Sequence, residues 1–180
     1  FCTKDDKEIR NYLLNIYSKL ELKTDKKLVI AGATSDTDGY VKMLKEMAGD
    51  DPNIIFTGFV SGKLLEEIYS NAYVYVLPSK LEGMPLSLLE AMSYGNCVIG
   101  SDIAEIADVV EDKAILFKKA NVEDLKEKLQ MVCDDEQIVR KYKSEASEYI
   151  CGKYNWEDVV ERTLRVYQKG KKINENLNDK

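Results

Sequence analysis

The stretch Tyr73–Ser101, YVYVLPSKLEGMPLSLLEAMSYGNCVIGS, restricts the possible fold more than any other part of the chain. Tyr73 to Leu77 has the length and the β-branched and aromatic content of a buried strand, and Pro78 punctuates it. A polar loop from Ser79 to Met84 leads to Pro85, placed where the first turn of a helix accepts a residue with no N–H. The helix is expected from Leu86 to about Tyr94, closing at Gly95, and a second apolar strand, Cys97 to Ile99, follows after a very short connection. Strand, loop, helix and strand in that order make the unit of a parallel sheet, because parallel neighbours need a crossover.

The same alternation runs upstream. Leu28 to Ala31 reads as a short strand ending at Gly32, and Thr34 to Gly39 as a polar turn into a helix over Tyr40 to Ala48. Ile54 to Thr57 is the next strand, ending at Gly58, and Ser61 is placed to cap a helix carrying Leu64, Leu65, Ile68 and Tyr69. Before these, Ile9, Tyr12, Leu13, Ile16, Tyr17 and Leu20 recur at helical spacing over about residues 6 to 21. A doubly wound sheet seldom opens on a helix, so a segment upstream of Phe1 is expected. Downstream, Ala114 to Phe117 reads as a last strand. Three amphipathic helices follow, capped or marked by Asn121, by Ile138, Tyr142, Ala146 and Tyr149, and by Asn155; the third carries Trp156, Val160, Leu164 and Tyr167. Their stripes are expected to pack on a sheet face or on each other, and the tail from Lys171 to Lys180 to be frayed. The fold class is α/β, a Rossmann-like parallel sheet flanked by helices, with one domain over residues 1–170 and ligands held beyond the carboxyl ends of the strands.

Composition excludes several classes of function. At 180 residues the chain suffices for one large core. The 26 Lys and Arg are interleaved with 32 Asp and Glu for a net charge of −6, which disfavours a nucleic-acid partner. There is no histidine, so no Ser-His-Asp or Cys-His system can be assembled. Cys2, Cys97, Cys133 and Cys151 include no C-x-x-C pair, which indicates neither a zinc site nor a disulfide framework and fits a reducing cytoplasm. No apolar run is long enough to cross a bilayer, and residues 1 to 20 lack a signal-peptide pattern.

The loop of the central unit carries the chemistry. Glu82 and Glu90 flank a turn whose backbone N–H groups, around Gly83 to Ser87, lack intrahelical partners at the carboxyl edge of the sheet. An anion site beside two acceptors for paired hydroxyls suits a nucleoside diphosphate sugar, and Gly83 lets backbone and ligand approach closely. Glutamates eight apart are common in so charged a chain, and the weight lies in the ordered context around them. Rival motifs are weaker. Asp36-Thr37-Asp38 imitates a D-x-D metal signature but sits where Asp and Thr cap a helix. GFVSGK, Gly58 to Lys63, has one residue too few for a P-loop and Leu64 where Ser or Thr should bind Mg²⁺; Gly32-Ala33-Thr34 lacks the second glycine of a dinucleotide fingerprint.

The phrase PSKLEGMPLSLLEAMSYGNCVI resembles the signature of the retaining GT-B glycosyltransferases of family four, in which two glutamates bracket seven residues. LVIAG, NIIFTGFVSGKLLEEIYSNAYVYVLPS and the late Tyr154-Asn155-Trp156 agree with it, so the resemblance covers about Leu28 to Tyr167. It implies the carboxyl-terminal half of a GT-B fold, whose amino-terminal domain, absent from this chain, presents a glycan or lipid-linked acceptor. Carried over, Glu90 would bind the ribose hydroxyls and Glu82, the residue assigned to catalysis, would hold hydroxyls of the donor sugar. The amides of Gly83, Met84, Leu86 and Ser87, around Pro85, would receive the diphosphate of a UDP- or GDP-sugar, and the base would rest near Gly58, Phe59 and Val60. No metal or other cofactor is implied. Lys7 or Lys4 would supply the phosphate lysine, and the family's arginine falls at or before Phe1. The family's Pro-Glu appears as Ala104-Glu105. A cytoplasmic enzyme of envelope or capsular polysaccharide synthesis follows, with peripheral placement at the inner membrane face left open. A GT-B nucleotide-sugar epimerase and a non-catalytic nucleotide-binding scaffold are the alternatives.

Overall fold

The structure is a computed structural model that describes residues 22, 24–32 and 38–178, with the side chains of 38, 40 and 169–178 left aside. In chain order the elements are β1 (Leu28–Ala31), α1 (Asp38–Ala48), β2 (Ile54–Gly58), α2 (Gly62–Asn71), β3 (Val74–Leu77), α3 (Leu86–Ser93), β4 (Cys97–Asp102), α4 (Ala104–Val110), β5 (Ile115–Lys118), α5 (Val122–Asp134), α6 (Glu136–Lys153) and α7 (Trp156–Asn178). Every ladder is parallel, as the alternation of strand and helix requires. The ladders form a two-stranded sheet, β1-β2, and a three-stranded sheet, β3-β4-β5, where the alternation implied one.

Period-two alternation decides what each face of a strand buries. In β4, Val98 joins Leu77, Leu88, Met92, Ile106 and Val110 on one side of the sheet. Cys97 and Ile99 join Ile115, Phe117, Leu125, Val132 and Val139 on the other. Helices α3 and α4 thus cover one face and α5 the other, while α6 contributes to both clusters through Ala146 and Ile150 on one side and Val139 on the other. In β1-β2, Leu28, Ile30, Ile54 and Phe56 face Leu44 and Ala48 of α1. Tight packing needs glycine at one point of the larger sheet, since a Cβ on Gly100 would lie 2.9 Å from Ile106 Cγ2. At Gly95 a φ of +73° lets the chain leave α3 and enter β4, its N–H bonded to Met92 O at 2.9 Å.

Several expectations need correction. Ser61 occupies the N-cap position of α2, but its side chain makes no capping hydrogen bond. Pro85 is the residue before the first turn of α3 rather than inside it. Asn121 and Asn155 do cap, accepting from Asp124 N at 3.0 Å and Glu157 N at 2.9 Å. Helix α4 was not foreseen, because a seven-residue segment is too short to declare a period. The stripe of α7 does not pack as expected: Trp156, Val160, Leu164 and Tyr167 are 77%, 52%, 52% and 72% exposed. That helix also continues through the supposed frayed tail to Asn178, since Val166, Gly170, Ile173 and Leu177 keep a four-three-four spacing among the polar residues. The helix expected over residues 6–21 lies outside the described residues.

Candidate donor-binding site

Glu82 and Glu90 reach the carboxyl edge of the larger sheet by different routes. Glu82 sits in the loop after β3, half-buried, where the fully buried Ser79 donates its hydroxyl to Glu82 Oε1 at 2.5 Å. A serine directly after Pro78 therefore fixes this carboxylate from beneath. Glu90 lies exposed on α3. Its Oε2 accepts from the Tyr69 hydroxyl at 3.1 Å, and the same hydroxyl lies 3.4 Å from Ser87 O.

Helix geometry relates Glu90 to the turn. Side chains on an α-helix tilt toward its N-terminus, and residues three or four apart share a face. Ser87 and Glu90, three apart, therefore share one side of α3, and the shared contact of Tyr69 with both puts the carboxylate at the level of Ser87. Among the described residues, the N–H groups of Gly83, Met84 and Ser87 meet no backbone acceptor. The N–H of Leu86 does not belong with them, because it turns back to Met84 O at 2.8 Å. The tight turn imposed by Pro85, which has no N–H itself, accounts for that loss. Gly83 has open space where a Cβ would stand. Nothing inside the protein demands glycine there.

Three tyrosines support this corner. Tyr69 is 4% exposed, stacked on Tyr94 at 5.5 Å between centroids and tilted against Tyr75 at 5.9 Å. The Tyr75 hydroxyl donates to Ser87 Oγ at 2.8 Å. Burial, followed by the nearby Tyr75 and Glu90, pushes the Tyr69 phenol far above its ordinary value, so it remains a neutral donor. Sequence reading placed Tyr69 only in the apolar stripe of α2 and did not single out Ser79, Tyr75 or Tyr94; the hydroxyls at the sheet edge were the signal available.

The Gly58–Val60 loop stands apart from this cluster. Gly58 has a φ of +68° and accepts from Gly32 N at 3.0 Å, tying the ends of β1 and β2 together. Phe59 is 73% exposed while Val60 is buried. Helix α2 links the two places, starting beyond the loop and bringing Tyr69 to Glu90 about 10 Å further along its axis. Lys7 and Lys4 lie outside the described residues, as do Asp36 and Thr37. A small apolar hollow lined by Pro78, Phe117, Ala120, Asn121, Val122 and Leu125 includes neither glutamate. Among the described residues no cluster of three or more His, Cys, Asp or Glu is arranged to hold a metal ion, and no helix is long and apolar enough to cross a membrane.

Parallel strands flanked by helices, with polar groups gathered past the carboxyl ends, define an α/β protein of Rossmann-like architecture. The chain matches the family of glycosyl transferases group 1 over residues 7–149 and belongs to it. It is 30% identical to an uncharacterised glycosyltransferase of Methanocaldococcus jannaschii over 163 residues, covering 87% of this chain and 40% of that protein. It is 28% identical to an O-antigen chain mannosyltransferase B of Escherichia coli, covering 90% of this chain and 42% of that one. The chain thus spans about two fifths of the length of these relatives. Among solved structures, an Anabaena protein crystallised with UDP and glucose shares the fold with a TM-score of 0.79 at 15% identity, over 90% of this chain and 46% of that one. The C-terminal domain of a glycosyl transferase group 1 family protein from Francisella tularensis does so with a TM-score of 0.70 at 24% identity, over 86% of this chain and 82% of that one. The fold is that of the Rossmann-like carboxyl-terminal half of GT-B glycosyltransferases.

Proposed function

We propose that this chain is the donor-binding domain of a retaining glycosyltransferase of family four, which takes the glycosyl group of a nucleoside diphosphate sugar for polysaccharide synthesis. One observation carries the reading: a buried serine and a buried tyrosine each fix one of two glutamates on either side of three amides that lack backbone acceptors. A carboxylate accepts two O–H donors at once, so Glu90 holds the cis hydroxyls of the ribose and Glu82 those of the sugar. The amides of Gly83, Met84 and Ser87, with the N-terminus of α3, take the diphosphate. As the bond between the anomeric carbon and the leaving phosphate oxygen breaks, those N–H groups stabilise the charge left on the diphosphate. The acceptor oxygen then bonds to that carbon from the same face, its hydroxyl proton passing to the departing phosphate oxygen.

No metal has a part in this reading: the amides and the helix end, with Lys7 or Lys4, receive the diphosphate. The base is assigned to the Gly58–Val60 loop, where Phe59 is exposed. The E. coli O-antigen relative and the Anabaena structure with UDP and glucose support a polysaccharide product and a nucleotide-sugar donor. We assign the acceptor, a glycan or lipid-linked molecule, to a further domain outside this chain, and the full protein to the cytoplasm.

Calorimetric titration of UDP and GDP into the chain tests the reading. Glu90→Ala is expected to weaken binding about tenfold or more, in line with loss of hydrogen bonds to a charged group. Silence of the parent protein toward both nucleotides, or an unchanged Kd in Glu90→Ala, would refute it.

A further inference from the structure

Glu90 carries an exposed side chain with three rotatable bonds, and holding such a side chain in one rotamer on binding costs conformational entropy. The structure holds it already. The Tyr69 ring that donates to it is almost fully buried, stacked on Tyr94 and set against Tyr75. Its backbone is equally fixed: Tyr69 O accepts from Asn96 Nδ2 at 2.9 Å and from Ala72 N at 3.3 Å.

We infer that Tyr69 is a positioning residue for the nucleotide, presetting Glu90 through its hydroxyl so that the carboxylate meets the ribose with its rotamer already chosen. This rests on the assignment of Glu90 to the ribose above. The geometry suits the task in two ways. Tyr69 occupies one oxygen, Oε2, on one side only, which leaves Oε1 and the remaining lone pairs for two ribose hydroxyls. Being neutral, it orients the carboxylate without cancelling its charge, as a Lys or Arg in its place would. A purely structural alternative has the phenol use Glu90 merely to satisfy itself on burial. Ser87 O, 3.4 Å away, is a second acceptor within reach for that purpose, so satisfaction alone does not require Glu90.

The two roles separate when the ribose hydroxyls are removed from the ligand. UDP, GDP and their 2′,3′-dideoxy counterparts are titrated calorimetrically into the parent chain and into Tyr69→Phe, Tyr94→Ala and Glu90→Ala. The inference expects Tyr69→Phe, which keeps the ring and its stack, to weaken UDP or GDP binding about tenfold while leaving the Kd for the dideoxy nucleotide at the parent value. Should Tyr69→Phe not fold, Tyr94→Ala takes its place, since loss of the stacked ring frees the phenol and is expected to weaken ribose-dependent binding about threefold. An equal loss for both kinds of nucleotide in Tyr69→Phe would overturn the inference, as would unchanged binding in Tyr69→Phe; in either case the ribose assignment stands where Glu90→Ala weakens binding. Unchanged binding in Glu90→Ala removes the ribose assignment, and the inference with it.

Discussion

The two sheets of this molecule differ in how far they are covered. In β3-β4-β5, Cys97, Val98 and Ile99 are all fully buried, with helices on both faces. Among the described residues, α1 covers one face of β1-β2, while Val29 and Ile55 on the other are 44% and 39% exposed. Both glutamates and the turn between them depend on the covered sheet, whereas the Gly58–Val60 loop extends from the thinner one. Groups that must hold an ångström-scale geometry gain from close-packed support, because interiors at crystal-like density leave little room to move. A loop that presents backbone and one exposed ring requires less of its scaffold.

That contrast can be broken by mutation. The largest effect is expected at Leu88, fully buried beneath the site: Leu88→Ala should cost about 3 kcal/mol in denaturant unfolding, whereas Ile55→Thr on the open face should stay within about 0.5 kcal/mol. Similar costs for the two would erase the distinction. Next comes Asn96, 2% exposed, whose Nδ2 donates to both Tyr69 O and Ala91 O at 2.9 Å and so joins α2 to α3. Asn96→Ala removes one of two donors from each carbonyl, since Tyr69 O keeps Ala72 N and Ala91 O keeps Asn96 N, and should lose about 1 kcal/mol of stability. A loss below about 0.5 kcal/mol would mean that α2 and α3 are not coupled through this residue.

A pH-dependent effect sharpens the same point. Burial pushes the Cys97 thiol from its ordinary 9.0 up to about 12. The folded protein therefore retains a proton that the unfolded chain sheds above about pH 9, and stability should fall by up to about 1.4 kcal/mol per pH unit as pH rises toward 12. Tyr69, raised in the same direction, adds to the decline above pH 10, its ordinary value. Chemical denaturation of the parent and of Cys97→Val across pH 8 to 11 checks this, with a shallower slope expected for the variant. Equal slopes would show the thiol to be more open to water than the packing of β4 allows.

Much of the fold was legible because parallel sheets buried on two faces demand long apolar strands separated by amphipathic helices. Tyr73–Leu77 and Leu86–Tyr94 were placed to within a residue of β3 and α3 for that reason. What escaped was the detail that depends on partners distant in sequence. The stripe of α7 has the spacing of a packing helix, yet spacing does not say whether a surface exists to receive it. The glutamates were legible from their setting between a strand, a Pro-Ser step and a helix. The hydroxyls of Ser79 and Tyr69 that fix them were not, since nothing in the local pattern of α2 sets Tyr69 apart from an ordinary core residue until the fold brings it to Glu90.

On one rim of the larger sheet the proposed site holds ribose at Glu90 and diphosphate at the neighbouring amides. A crystal structure of this chain with UDP or GDP bound tests it most directly. The account predicts ribose hydroxyls at hydrogen-bond distance, about 2.8 Å, from the Glu90 carboxylate, with phosphate oxygens at about 2.9 Å from the N–H groups of Gly83, Met84 or Ser87. A nucleotide bound with its ribose away from Glu90 and its phosphates away from that turn would contradict it.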